Sequence, residues 1–173
     1  MLKIDTTYYA IKNHLMKDLV VLIDTRENAN EHITQYFDKV GILYEERKLD
    51  YGDYGLKIPK NDEFGIVTDM ILDFAVERKG SLEEVSGNFT QDRTRLEKEL
   101  FRSKGNLAIL IENGSLNDIL SHNYTTKYDE NSFIGTLMAF YHRYNTSIWF
   151  TNKLNSGKII YGLLKYKLRE ELK

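Results

Sequence analysis

The sequence predicts an α/β fold with a mixed central sheet and helices on both of its faces. Two observations carry this expectation. Residues 19–23 and 107–111 are apolar throughout rather than alternating, as in strands that meet no solvent on either side. Around them lie segments with apolar residues at helical spacing, such as Ile33 with Phe37 and Ile160 with Leu164 and Leu168. A sheet buried on both faces needs such helices to cover it. The 173 residues supply one core rather than two.

Taken in order, residues 6–17 place Tyr8, Ile11 and Leu15 at helical spacing behind threonines able to cap, so residues 1–18 read as an extension, helical in part. The main domain then runs over 19–173. Its first strand, 19–23, ends in Asp24-Thr25-Arg26-Glu27. Asn28 or Asn30 opens a helix to about Val40, with Ile33, Phe37 and Val40 inward and Gly41 as its stop. A weaker strand covers 42–49, interrupted by Glu45, Glu46, Arg47 and Lys48. Gly52-Asp53-Tyr54-Gly55 turns the chain, Leu56 to Ile58 begins a strand, and a polar loop follows from Pro59. Residues 70–76 form the strand that delivers Glu77. Helices are predicted over 91–104 (Leu96, Leu100 and Phe101 inward), 131–144 (Phe133, Leu137 and Tyr141) and 157–172 (Ile160, Leu164 and Leu168), with strands at 107–111 and 147–150. Residues 113–130 read as a mobile loop.

Composition removes several functions. The chain has no cysteine, which excludes disulfide frameworks, thiolate zinc sites and cysteine nucleophiles. His14, His32, His122 and His142 show no zinc-ligand spacing. No run is long enough to span a membrane, and residues 1–5 lack a signal peptide's apolar core, so the expectation is a reducing cytoplasmic compartment, nucleoid- or DNA-associated in a bacterial or viral setting. The net charge of −2 gives no global attraction to nucleic acid, so any binding must use a local basic surface.

The chemistry concentrates where strands end in charge. Asp24 with Glu27, Asp53, and Glu77 with Lys79 all stand at strand ends or strand turns, where ligands bind open α/β sheets. Brought together, Asp53 and Glu77 would hold a divalent cation, with Lys79 orienting or helping to deprotonate the attacking water. Asp24 and Glu27 would complete the cluster or ligate through water. Each residue alone also has a plainer role: Asp24 as a helix cap, Asp53 as a turn residue, Glu77-Arg78-Lys79 as a solvated strand end. The same tripeptide occurs at Glu46-Arg47-Lys48. Context separates the copies, since the one at 77–79 follows an apolar run and the one at 46–48 opens from a polar strand. Arg95, Lys98 and Arg102 recur along one helix face as a row of phosphate contacts or a solvated face, and Arg93 lies near enough to the helix start to reach the site.

With these residues in place, the chain resembles the XPF-type nuclease domain, a family of structure-specific endonucleases with the signature GDxnERKx3D. Gly52-Asp53 and Glu77-Arg78-Lys79 match it. So do the family's earlier acidic element, at Asp24-Thr25-Arg26-Glu27, and its aromatic after the aspartate, at Tyr54. Ser132 to Leu137 and Ile148 to Thr151 resemble its closing helix and strand. The signature's final aspartate aligns with Glu83, whose role as metal or structural partner is open.

The resemblance implies a restriction-endonuclease-like fold and Mg²⁺-dependent hydrolysis of DNA, with Mn²⁺ able to substitute. The implied substrates are branched duplexes such as flaps or forks. It gives Asp24, Asp53 and Glu77 as metal ligands, and Arg26 as a brace for the acidic cluster or a phosphate. Arg78 would contact the scissile region or present its carbonyl to the metal. It also implies pairing of two copies through this domain, for which the apolar stripe of residues 157–172 is available unless it packs on the sheet. The family's helicase and helix-hairpin-helix modules have no counterpart in this sequence. Two other readings stand beside the nuclease: a non-catalytic DNA-binding scaffold of the same fold, against which the intact acidic residues argue, and a nuclease of this fold acting on other junctions or RNA.

Overall fold

The computed structural model describes residues 15–172. The helix expected over 6–17 falls outside them except for its end, where Leu15 is buried in the core. Among the described residues the strands are β1 (Val20–Ile23), β2 (Leu43–Glu46), β3 (Tyr54–Ile58), β4 (Met70–Ile71), β5 (Ala75–Lys79), β6 (Leu107–Glu112) and β7 (Ser147–Thr151). The helices are α1 (Glu31–Val40), α2 (Leu82–Thr90), α3 (Arg93–Ser103), α4 (Leu116–Leu120), α5 (Glu130–Tyr144) and α6 (Ser156–Glu171). One mixed sheet joins all seven strands in the order β2-β1-β3-β5-β6-β7, with β4 on β3. β3 runs antiparallel to both β1 and β5, while β1–β2, β5–β6 and β6–β7 are parallel.

Both faces are covered, as the apolar strands require. Val21, Ile23, Leu56 and Val76 face α1 and α6 through Ile33, Phe37, Ile160, Leu164 and Leu168. Ile109 and Ile111 face α2, α3 and α5 through Val85, Phe89, Leu96, Phe133 and Phe140. The α6 stripe is thus spent on the sheet, with Ile160, Leu164 and Leu168 each 0% exposed, and is not free for a contact between copies. No helix among the described residues is long and apolar enough to cross a membrane.

Several expectations are corrected. The run 70–76 is broken at Leu72-Asp73-Phe74 into β4, which pairs β3, and β5, which pairs β6. Val40, Phe101 and Tyr141 are exposed rather than inward. On α5 the buried stripe is Phe133, Thr136, Leu137 and Phe140, because a 3.6-residue turn drifts away from a strict fourth-residue count. Residues 113–130 contain α4, capped by Ser115, whose hydroxyl accepts from Asp118 N. A further helix, α2, opens at Ser81, which caps Glu84 N.

Candidate active site

Backbone hydrogen bonds pull three strand ends together. β1 ends where the antiparallel β3 begins, so Asp24 N donates to Asp53 O (2.8 Å) and Asp53 N to Val76 O (2.9 Å). Arg78 N then donates to Asp53 Oδ2 at 2.8 Å, fixing that carboxylate beside β5. The turn allowing this needs glycine: Gly52 has φ 72°, and a Cβ there would lie 2.6 Å from Ala75 Cβ. Gly52 N also donates to Glu99 Oε1 on α3 at 2.9 Å, which anchors the turn.

The result is a polar cleft of about 550 Å³ that brings together Arg26, Glu27, Asp53, Glu77, Arg78 and Lys79. Asp24 lies just beneath, 1% exposed. Its Oδ1 accepts from Arg26 N (2.9 Å) and Nε (2.6 Å), and its Oδ2 from Leu49 N (2.6 Å) and Arg26 Nη2 (3.1 Å). Burial would raise its pKa, but Arg26 and the two backbone amides bring it below the ordinary value. Asp24, expected among the metal ligands, has both carboxylate oxygens in hydrogen bonds that brace the strand end. Arg26 is its partner in that brace.

Asp53 and Glu77 differ in kind. Burial first, then the charges of Glu77 and Glu27, push Asp53 well above the usual carboxylate range. Burial likewise raises Glu77, against the opposing pull of Lys79. Lys79 Nζ donates to Glu77 Oε1 at 2.6 Å, with both residues buried. Burial would lower Lys79, yet Glu77, Glu84 and Asp53 outweigh it and the ammonium is held above its ordinary value. Lys79 is thus a cation here and a proton donor in hydrogen bonds, not a free base.

Arg78 lines the cleft but buries most of its side chain. Its side chain is 9% exposed, with Nη1 on Glu27 Oε1 (3.0 Å), Nε on Glu112 Oε1 (3.2 Å) and Nη2 on Ala29 O (3.1 Å). Arg78, expected to contact the scissile region or to present its carbonyl to the metal, has its guanidinium in a clamp between the ends of β1, β5 and β6. Glu112 is fully buried and also meets His32 Nε2 at 2.8 Å, while Tyr54 OH donates to Glu27 Oε1 at 3.2 Å.

The basic row divides. Arg95 lines the cleft, whereas Lys98 and Arg102 border a separate hollow beside Phe101 and Tyr144. Arg93 does not reach the site, since its Nε pairs with Glu97 (3.0 Å) and its guanidinium lies over Phe140. Glu83 faces the segment after α4, where its Oε1 accepts from Thr125 N at 2.9 Å. Its neighbour Glu84 takes the cleft position, 3.6 Å from Lys79 Nζ. Glu46, Arg47 and Lys48 of the second tripeptide copy are all exposed. Glu84, Glu99, Glu112, His32 and Lys153 are site residues that sequence reasoning missed. Only Glu112 carried a readable signal, a charge at the end of an all-apolar strand.

A mixed α/β sheet covered on both faces carries carboxylates and a buried lysine together at its strand ends, and this fold is that of the XPF nuclease domain. More narrowly, the ERCC4 domain family model matches residues 23–163, and the chain belongs to that family. Among solved structures it is similar to XPF from Aeropyrum pernix, with TM-score 0.62 and 19% identity over 89% of this chain and 64% of that one. The same protein in complex with DNA gives 0.60 and 19%, over 87% of this chain and 66% of that one. This chain thus spans about two-thirds of the length of those structures. No curated protein sequence matches it.

Proposed function

We propose that the chain is a Mg²⁺-dependent endonuclease that hydrolyses phosphodiester bonds in branched DNA such as flaps or forks. One observation carries this reading. Asp53 and Glu77 line one cleft, and burial pushes both carboxyls above the ordinary range, a placement that costs stability unless a cation binds there. Family membership and the DNA complex of the Aeropyrum pernix XPF support DNA as the polymer.

The donor set fits a hard cation with few protein ligands. Among the described residues, Asp53 Oδ1 and Glu77 Oε2 have no hydrogen-bond partner, and no group of three or more His, Cys, Asp or Glu side chains is arranged to hold a metal. Mg²⁺ commonly takes one or two carboxylates and completes its shell with water and phosphate oxygens. Asp53 and Glu77 would hold it, and bound there it supplies charge stabilisation and an acidified water. The chain's own residues do the rest. Lys79 holds Glu77 in place and presents its remaining N–H groups to a water or phosphate oxygen. Arg95, within electrostatic reach of Glu77, and Lys153 line the cleft with no salt bridge among the described residues, and hold phosphates on either side of the scissile one.

Cleavage of matched flap, fork, junction and linear substrates with Mg²⁺, Mn²⁺ or EDTA tests the reading. Metal-dependent cutting that favours flap or fork is expected. DNA binding without cutting in either metal would make the chain a scaffold instead. The phosphate role of Arg95 has its own signature: Arg95→Ala should flatten the plot of log K against log salt by about one unit. An unchanged slope leaves Arg95 a solvated residue.

A further inference from the structure

The turn between β7 and α6 carries an apolar residue that the fold does not use. Leu154 is 85% exposed, more than any other large hydrophobic among the described residues. It is not on a loose segment. Asn155 N donates to Asn152 O (3.0 Å) and to Asn152 Oδ1 (3.1 Å), and Ser156 Oγ, itself buried, donates to Asn152 O (2.9 Å). The turn is therefore a closed cap at the start of α6, and it displays Leu154 at a fixed place.

The turn borders the cleft, since Lys153, next to Leu154, lines it. β5, β6 and β7 are parallel neighbours, so Lys79 at the end of β5 and Asn113 and Lys153 just past β6 and β7 stand at adjacent strand ends, and Asn113 N donates to Thr151 O at 3.0 Å. Asn113 and Lys153 both line the cleft with Glu77. β7 stands two strand spacings from β5, or about 10 Å. A nucleic-acid strand leaving Glu77 and Lys79 along these ends meets Lys153 and then Leu154.

We propose that the 152–155 turn reads the branch point of a DNA substrate: Lys153 takes a backbone phosphate, and Leu154 packs on the base face laid bare where the duplex opens. Continuous duplex offers no such face, since every base there is covered by its neighbours, while apolar side chains of this size do pack into opened base steps. The side chain's position beside an unpaired cation favours a polyanion with exposed apolar surface, and DNA at a branch has both. The inference rests on the nuclease reading above and names the substrate feature recognised.

The test is binding by the full chain, with Ca²⁺ in place of Mg²⁺ to keep the DNA whole. Fork and continuous duplex of one sequence are compared, with 2-aminopurine as the unpaired base next to the branch. The wild type should bind the fork more tightly and change the 2-aminopurine fluorescence. Leu154→Ser should reduce the fork-to-duplex affinity ratio by about fivefold or more and suppress that change, with Leu154→Met retaining both. Because the side chain is exposed, circular dichroism of the variants should match the wild type. A Leu154→Ser protein with unaltered ratio and fluorescence, or a wild type with no fork preference, overturns the proposal. The two readings fail separately: a Leu154-dependent preference without Mg²⁺ cleavage sinks the nuclease alone, and fork cleavage with a Leu154-independent preference sinks this inference alone.

Discussion

Asp53→Asn should abolish the proposed cleavage and yet make the metal-free protein more stable. The loss of activity should reach about three orders of magnitude, the scale seen when one preorganised electrostatic group is removed from a site. The gain in stability has a separate cause. Asp53 is raised by burial and by the charges of Glu77 and Glu27, so its ionised form opposes folding. The sign follows from linkage: with its folded pKa above the unfolded one, Asp53 favours the native state at low pH, and that contribution is lost as pH rises through the folded value. Asparagine removes the repulsion and can still accept from Arg78 N, now at 2.8 Å from Oδ2. A gain on the order of 1 kcal/mol corresponds to about 2–4 °C in Tm for a chain of this size. Thermal unfolding in EDTA at pH 5 and pH 8 checks it, and the wild type should lose more stability between the two than the variant. Glu77→Gln is the contrast. Its carboxylate is the partner of buried Lys79 at 2.6 Å and the main charge holding that ammonium above its ordinary value, so replacing it leaves a buried cation without its nearest anion and lowers Tm. Equal shifts in the two variants would mean that the cleft does not divide its carboxylates as described.

How much of this was legible in the sequence follows from what kind of signal each residue carried. The strands β1 and β6 were readable because each is a short, β-branched apolar run, too short for a buried helix and suited to a doubly covered strand. Asp24, Asp53, Glu77 and Lys79 were readable because charge at the end of such a strand needs a partner. The partner itself was not. Whether Asp24 faces a metal or Arg26 depends on a side-chain fork two residues away, and whether Arg78 faces DNA or Glu112 depends on a contact 34 positions along the chain. Glu84 and Glu99 were hidden because helices α2 and α3 each carry two glutamates, and only the packing of those helices selects the one that faces the cleft. The errors in helix stripes have a simpler origin. Phe101 follows the inward Leu100 directly, and one residue is about 100° of rotation, enough to turn a ring to solvent.

Arg78→Met should be the most destabilising substitution in the cleft, and it tests the clamp directly. The guanidinium joins Glu27, Glu112 and Ala29 O, and Glu112 has no exposed surface through which water can replace it. Breaking a buried pair by removing one partner costs about 3–5 kcal/mol, because the remaining charge stays buried. At about 2–4 °C for each kcal/mol, Tm should fall by on the order of 10 °C. Lysine should not rescue it, since one ammonium cannot reach three acceptors that a planar fork meets in different directions. The decisive measurement is a cycle with Glu27→Gln. If the clamp is one unit, neutralising Glu27 in the Arg78→Met background removes one stranded carboxylate and recovers part of the loss, so the double variant is more stable than the sum of the single effects predicts. His32 would still hold Glu112, keeping α1 against the end of β6. Additive effects, or an Arg78→Met protein as stable as the wild type, would show Arg78 to be a cleft residue available to substrate after all.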